Sequence, residues 1–169
     1  MPQQRKIPVR YLPKSLTNRD RTKQLRELQR SRKLYKHGVY HTRKRVTSFN
    51  NKKSSHIANA RRIYGVDTVT PNQDLAKKTG CSVAALRKIV SKGEGAYFSS
   101  GSRPNQTARS WGLARLASAI TAGKSAAVDY DILDKGCDHT KRAFHLANKS
   151  RKLYGKGRGT TKRTNVTTK

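Results

Sequence analysis

The chain has 169 residues, 33% of them hydrophobic, and a formal net charge of +30 from 39 Lys/Arg against nine Asp/Glu. That length allows one ordinary domain with extensions, and an apolar fraction well below the ~45–50% of a typical globular domain limits how much of the chain can form a core. No run approaches the ~20 apolar residues of a membrane span, and the N-terminal MPQQRKIPVRYLPK lacks the apolar stretch of a secretory signal.

The charge is segregated. Residues 1–62 hold 19 Lys/Arg against Asp20 and Glu27, residues 63–140 hold ten against seven acids, and residues 141–169 hold ten and no acid. The expected organisation is a basic N-terminal arm (1–65) with one or two helices, a compact helical domain (66–148) and a basic Gly/Thr/Lys tail (149–169). The fold class is mainly α: a helix-turn-helix-like pair and a Gly/Ser-rich loop in a small domain, flanked by extended or helical arms. Arms of this charge repel themselves unless a polyanion or an acidic protein surface neutralises them.

In chain order, Pro8 and Pro13 make 8–14 an extended arm. Thr17 or Asn18 caps a helix over about 19–36, whose sparse Leu25, Leu28, Leu34 and Tyr35 form a narrow stripe on a cationic rod. Gly38 stops it. Val39, Tyr40, Val46 and Phe49 suit one or two short strands or an extended ribbon, and a second helix spans 55–64. SRKLYKHG (31–38), ARRIYG (60–65) and SRKLYGKG (150–157) share one signature: a basic helix end, an apolar-Tyr pair and a glycine for the left-handed cap.

Residues 73–79 and 82–91 read as two helices broken at Gly80-Cys81. Gly93 and Gly95 open a loop reaching Thr107, with AYFSS a possible strand. The most apolar helix follows at 108–122, then a strand or helical turn at 126–133, a helix at 138–154 and a tail with no core-forming ability. The expected core is Leu86, Ile89, Trp111, Leu113, Leu116, Ile120, Phe144 and Leu146.

Chemistry-bearing patterns are few. Ala76, Gly80, Val83, Leu86 and Ile89 fit the packing rule of a helix-turn-helix, whose second helix then exposes Ser82, Ala85, Arg87 and Lys88; an αα-hairpin that touches no DNA obeys the same rule. Backbone amides of GEG and SSGS beside Arg103 suit an anion nest, but more simply a surface loop anchored by Tyr97, Phe98 and Trp111. Asp129, Asp131, Asp134 and Asp138 read as helix starts and counter-charges rather than a Mg²⁺ site. Cys81 and Cys137 read as two buried thiols of a reducing compartment, and five scattered histidines complete no metal set. No enzyme activity and no cofactor is expected.

The strongest signal is Lys/Arg interleaved with Tyr, which suits phosphate contacts with stacking. The candidate residues for nucleic-acid or acidic-partner binding are Arg10, Lys14, Arg26, Arg30, Arg32, Lys33, Lys36, Arg43, Lys44, Arg45, Lys52, Lys53, Arg61, Arg62, Arg87, Lys88, Arg103, Arg151, Lys152, Lys156 and Arg158.

From YLPKSLTNRDRTKQ through GAYFSSGSRPNQTARSWGLARLASAI to GCDHTKRAFHLA, about residues 10–147, the chain resembles a family of short basic proteins of unknown function from large nucleocytoplasmic double-stranded DNA viruses. The resemblance brings no activity and no catalytic residues. It implies a viral protein made in the host cytoplasm or nucleus. The leading expectation is a minor capsid protein of the virion, non-enzymatic, whose arms link acidic surfaces of neighbouring capsid proteins inside the shell. The alternative is a nucleic-acid-binding protein, helix-turn-helix or genome-condensing, with viral DNA as partner.

Overall fold

A computed structural model describes residues 4–157 and 161–167. The fold is mainly helical, with eight α-helices and one two-stranded sheet among the described residues. The chain divides into two compact units. One comprises 4–52, 96–108 and 161–167; the other comprises 53–95 and 109–157. These limits differ from the expected arm, domain and tail.

In the first unit, β1 (Gln4–Pro8) pairs antiparallel with β2 (Arg163–Thr167), matching Arg5 to Val166 and Ile7 to Thr164. Arg5, Ile7, Thr164 and Val166 lie on one face of this ribbon and Lys6 and Arg163 on the other; Ile7 and Val166 are buried while Arg5, Lys6 and Arg163 are exposed. After a single 3-10 turn (Val9–Tyr11), α1 (Asn18–Lys36) starts under Thr17, whose Oγ1 accepts the Asp20 N–H at 3.2 Å. Its inward face carries Leu28 with Gln24 and Ser31; Gln24 Nε2 donates to Tyr11 O and Arg21 Nη1 to Leu12 O, fastening the N-terminal segment to the helix. The expected extended arm and coreless tail are therefore both corrected. Ile7, Tyr11, Leu12, Leu28 and Val166 are buried in a unit that joins the two ends of the chain.

The second unit holds α2 (Ser55–Tyr64), α3 (Gln73–Thr79), α4 (Val83–Ser99, to Gly95 here), α5 (Ala108–Ala119, from Arg109 here), α6 (Lys124–Val128), α7 (Tyr130–Gly136) and α8 (Arg142–Tyr154). Leu75, Leu86, Ile89, Leu116, Ile120 and Leu133 are fully buried, joined by Phe144 and Ala147. Of the expected core, Leu113 is only partly buried, and Trp111 and Leu146 are half-buried. The strand considered at 126–133 is helical, and the helix expected from 138 begins at Arg142.

The reading of Gly93–Thr107 as one loop fails in its first half, because α4 continues to Ser99. A Cβ on Gly93 would lie 2.6 Å from Gly112 Cα, and one on Gly112 would lie 2.7 Å from Val90 O. These glycines let α4 and α5 approach backbone to backbone. That packing outweighs the ~1 kcal/mol helix penalty of glycine. The cysteines are likewise corrected: Cys81 and Cys137 form a disulfide, closing a separation of 56 residues and joining the start of α4 to the end of α7. The repeated basic-Tyr-Gly signature does end helices, with Gly38, Gly65 and Gly155 at φ 73°, 60° and 58°.

Candidate polyanion-binding surface

The first unit carries 19 Lys/Arg against two acids over its described residues. Both acids face inward. Asp20 and Glu27 are seven residues apart, two turns along one face of α1. Asp20 Oδ2 accepts the Ser48 N–H at 2.8 Å; Glu27 Oε2 accepts the Lys44 N–H at 2.8 Å and lies 2.9 Å from His41 Nε2. Hydrogen bonds from Ser48 hold the Asp20 carboxyl below its usual range. Burial pushes Glu27 upward, but Lys44 and His41 outweigh it and the net shift is downward.

Together the acids lay residues 41–48 along α1 without a strand, so of the two readings of Val39–Phe49 the strands are corrected and the ribbon without strand pairing remains. Asn105 supports the far side like a missing strand partner: its Oδ1 accepts the Val46 N–H at 2.8 Å and its Nδ2 donates to Val46 O at 3.0 Å. Arg43 is the internal pin. Its guanidinium is buried and donates to Ser31 Oγ, Tyr97 O and Ser102 Oγ, stacked 3.7 Å from the Tyr97 ring centroid, while its backbone N–H donates to the Tyr97 hydroxyl. Burial lowers its pKa from the usual guanidinium value. Arg43 is thus removed from the candidate binding set: it faces the interior of the unit.

With its acids engaged, the unit presents an almost purely cationic exterior. Arg10, Lys14, Arg26, Arg30, Lys33, Lys36, Lys44, Arg45, Lys52 and Arg103 are exposed. Two concavities concentrate this charge. One of about 480 Å³ is lined by Arg19, Lys23, Arg26 and Lys44 together with Glu27. The other, of about 330 Å³, is lined by Lys6, Arg10, Arg32 and Arg163 with Ser99 and Ser100, and no carboxylate of the described residues lines it. Arg32 is aimed there by donating from Nε to Ser100 O at 3.0 Å; burial lowers its pKa, Tyr11 opposes, and the neighbouring Arg5 and Arg163 lower it further.

Beside Arg32, one helical turn on, lies an aromatic cluster. Tyr35 stacks on Phe98 (6.2 Å between centroids, 11° between planes), and Tyr40 leans on Phe98 at 5.2 Å with 70% of its surface exposed. Tyr97 closes the cluster from inside, edge-on to Phe98.

The second unit is basic but compensated, with 18 Lys/Arg against seven acids over its described residues. Asp129 is buried under Arg115 and Lys92; Asp134 lies 3.2 Å from His139 and Asp138 Oδ1 accepts from Thr140. Asp129, Asp134 and Asp138 thus serve separate local partners while Asp131 is exposed, and no metal-ligand cluster occurs among the described residues. Lys53, Arg61, Arg62, Arg87, Lys88, Arg151, Lys152 and Lys156 are exposed there, whereas Arg158 lies outside the described residues. The helix pair α3–α4 exists with Arg87 and Lys88 outward, but Ala85, expected on its exposed face, is buried against Gly136. The anion nest weighed against a plain surface loop at SSGS does not form, since the Ser100 and Gly101 amides both donate to Ala96 O.

The chain belongs to the family of unknown function DUF5824, which it matches over residues 8–142. No curated protein matches it, and no solved structure does. The matched span contains Arg32, Tyr35, Tyr40 and Phe98, whereas Lys6, Thr161 and Arg163, which complete the smaller concavity, lie outside it. Sequence reasoning did not select Lys6, Arg163 or Tyr40. Lys6 and Arg163 meet only through strand pairing of the chain ends, which nothing local announces. Tyr40 carried a usable signal: an aromatic in HGVYHTRKR with no apolar periodicity to bury it.

Proposed function

We propose that this chain is a non-enzymatic nucleic-acid-binding protein of a large double-stranded DNA virus. The observation that carries the reading is the first unit, with 19 Lys/Arg against two acids, both turned inward onto residues 41–48. A surface of that charge with no exposed carboxylate in the unit neutralises a phosphate backbone, releasing its counterions. The sequence resemblance to proteins of large DNA viruses supplies the setting.

Titration of a labelled 20-base-pair duplex at increasing salt tests it. Six phosphate contacts give a log–log slope of about −5, a loss of about 10³ in affinity between 50 and 200 mM salt. A flat titration at 50 mM salt refutes the reading.

The minor-capsid reading stands second. Its premise was a pair of arms with long reach, and the folding of both chain ends into the first unit weakens that premise. It is favoured by one observation: Leu153, Tyr154 and Val128 are exposed apolar side chains near the C-terminal end of α8, of the kind a protein partner covers. Purified particles decide between the readings. Fixed shell positions resistant to nuclease support the capsid role, and release with the genome supports nucleic-acid binding. The cysteine count no longer argues for a reducing compartment, because the two thiols are paired.

A further inference from the structure

Resting on the nucleic-acid reading, we infer that the first unit is built for single strands: a backbone phosphate enters the Lys6–Arg10–Arg32–Arg163 concavity while an unpaired base stacks on the Tyr40–Tyr35–Phe98 cluster.

Four features of the same unit point to this ligand. First, the concavity has four cationic side chains, no carboxylate among the described residues and a volume of about 330 Å³, enough for one phosphate with part of its sugar. Second, the two sites share their supports. Arg32 and Tyr35 are one turn apart on α1, and Phe98 leads directly into Ser99 and Ser100, which line the concavity. One helical turn is about 5 Å, comparable to the step between a phosphate and its own base. Third, the aromatic cluster is not a core that happens to show. Tyr40 is 70% exposed and the adjacent Val39 48% exposed, whereas Tyr97 beneath is fully buried and locked to Arg43. A rigid base under an exposed ring makes a stacking platform, at which a flexible strand loses less freedom than at a mobile one. Fourth, the chemistry separates strand types. A duplex offers phosphates but keeps its base faces stacked inside, so it reaches the cations only, whereas a single strand reaches both.

The test compares three ligands of equal length over one common salt series: a 12-nucleotide single strand, the same strand without bases, and its duplex. Binding is read by fluorescence anisotropy for the wild type, Tyr40→Ala, Tyr40→Trp and the double variant Lys6→Gln/Arg163→Gln. All substituted side chains are exposed, and circular dichroism confirms folding. Tyr40→Ala is expected to weaken single-strand binding about 5- to 150-fold, the range for loss of one base–aromatic stack, with no change for the abasic strand or duplex. Tyr40→Trp is expected to retain or strengthen it. The double variant is expected to weaken all three ligands and lower the salt slope by up to about two. Equal binding of single strand and abasic strand, or a Tyr40→Ala effect of the same size on all three, overturns the inference while leaving polyanion binding intact. Failure of the wild type to bind any of the three overturns the parent reading as well.

Discussion

Asp129 offers the sharpest test of how the second unit holds together. Its carboxylate is fully buried and accepts two hydrogen bonds from Arg115, Nε and Nη2, both at 2.7 Å, with Lys92 Nζ at 3.2 Å. It therefore ties α5, α4 and the α6–α7 junction to one point. Asp129→Asn keeps the shape but replaces one acceptor with an NH₂ that confronts a guanidinium N–H, and it leaves two cations without their counter-charge. Breaking a buried pair from one side costs about 3–5 kcal/mol. Arg115 is 20% exposed and Lys92 47% exposed, so both partly rehydrate, which places the expected loss at the low end, about 3 kcal/mol. The assay is urea unfolding followed by Trp111, the only tryptophan in the chain, which lies on α5 in this unit. At a slope of about 1.5 kcal/mol per molar, the midpoint falls by about 2 M. The exposed neighbour Asp131→Asn is the control and stays within about 0.5 kcal/mol. A midpoint shift below about 0.5 M for Asp129→Asn refutes the idea that this cluster organises the helices.

Acidification loosens the first unit. Asp20 and Glu27 have depressed pKa values when folded, so their stabilisation is complete above their unfolded values near 4 and is lost as pH falls through the folded ones. Exchange protection of the Lys44 and Ser48 amides reads this, and protection unchanged down to pH 2 refutes it. Reducing the Cys81–Cys137 bond opens a loop of about 56 residues and is expected to cost about 4 kcal/mol on the chain-entropy account, read as a lower urea midpoint with dithiothreitol; identical curves count against a structural bond. Gly112→Val forces α4 and α5 apart and is expected to cost about 1–3 kcal/mol beyond any gain in helix propensity; a neutral result shows that the crossing relaxes freely. Leu116→Ala, at a fully buried core position, is expected to cost about 2–5 kcal/mol in calorimetry, and a loss under 0.5 kcal/mol removes Leu116 from the core.

What the sequence reveals depends on how local its cause is. Helix ends were legible because a Tyr-Gly pair after basic residues fixes its own turn, as at Tyr64-Gly65, where Gly65 takes φ 60°. Leu86, Ile89, Leu116 and Ile120 were legible because helical periodicity places them on one face. Gly93 misled for the converse reason. Read locally it breaks a helix, and only Gly112, far along the chain, explains why a helix keeps it. The sheet was invisible because β1 and β2 bring few buried apolar side chains, Ile7 and Pro8 from one and Val166 from the other, and are joined from opposite ends of the chain. The cationic concavity inherits that invisibility through Lys6 and Arg163, while Arg32 was selected from its charge context alone.

The placement of Asp20 and Glu27 shows how so basic a unit folds at all. A cation-rich segment gains little by burying apolar side chains, since 37–52 offers mainly Val46. Two carboxylates spaced seven residues apart on α1 instead supply fixed acceptors for backbone N–H groups at Lys44 and Ser48, and Asn105 supplies a third at Val46. Backbone groups are held this way while few of the segment's own side chains turn inward, chiefly Val46, Arg43 and the Glu27-bound His41. Lys44, Arg45 and Tyr40 are consequently free to face solvent from an ordered backbone. The same two acids that organise the segment remove themselves from the surface, so ordering the loop and making the exterior uniformly cationic are one event. Replacing either acid is therefore expected to disorder the platform as well as to alter charge, which is why the binding test above relies on Tyr40, Lys6 and Arg163 and leaves Asp20 and Glu27 in place.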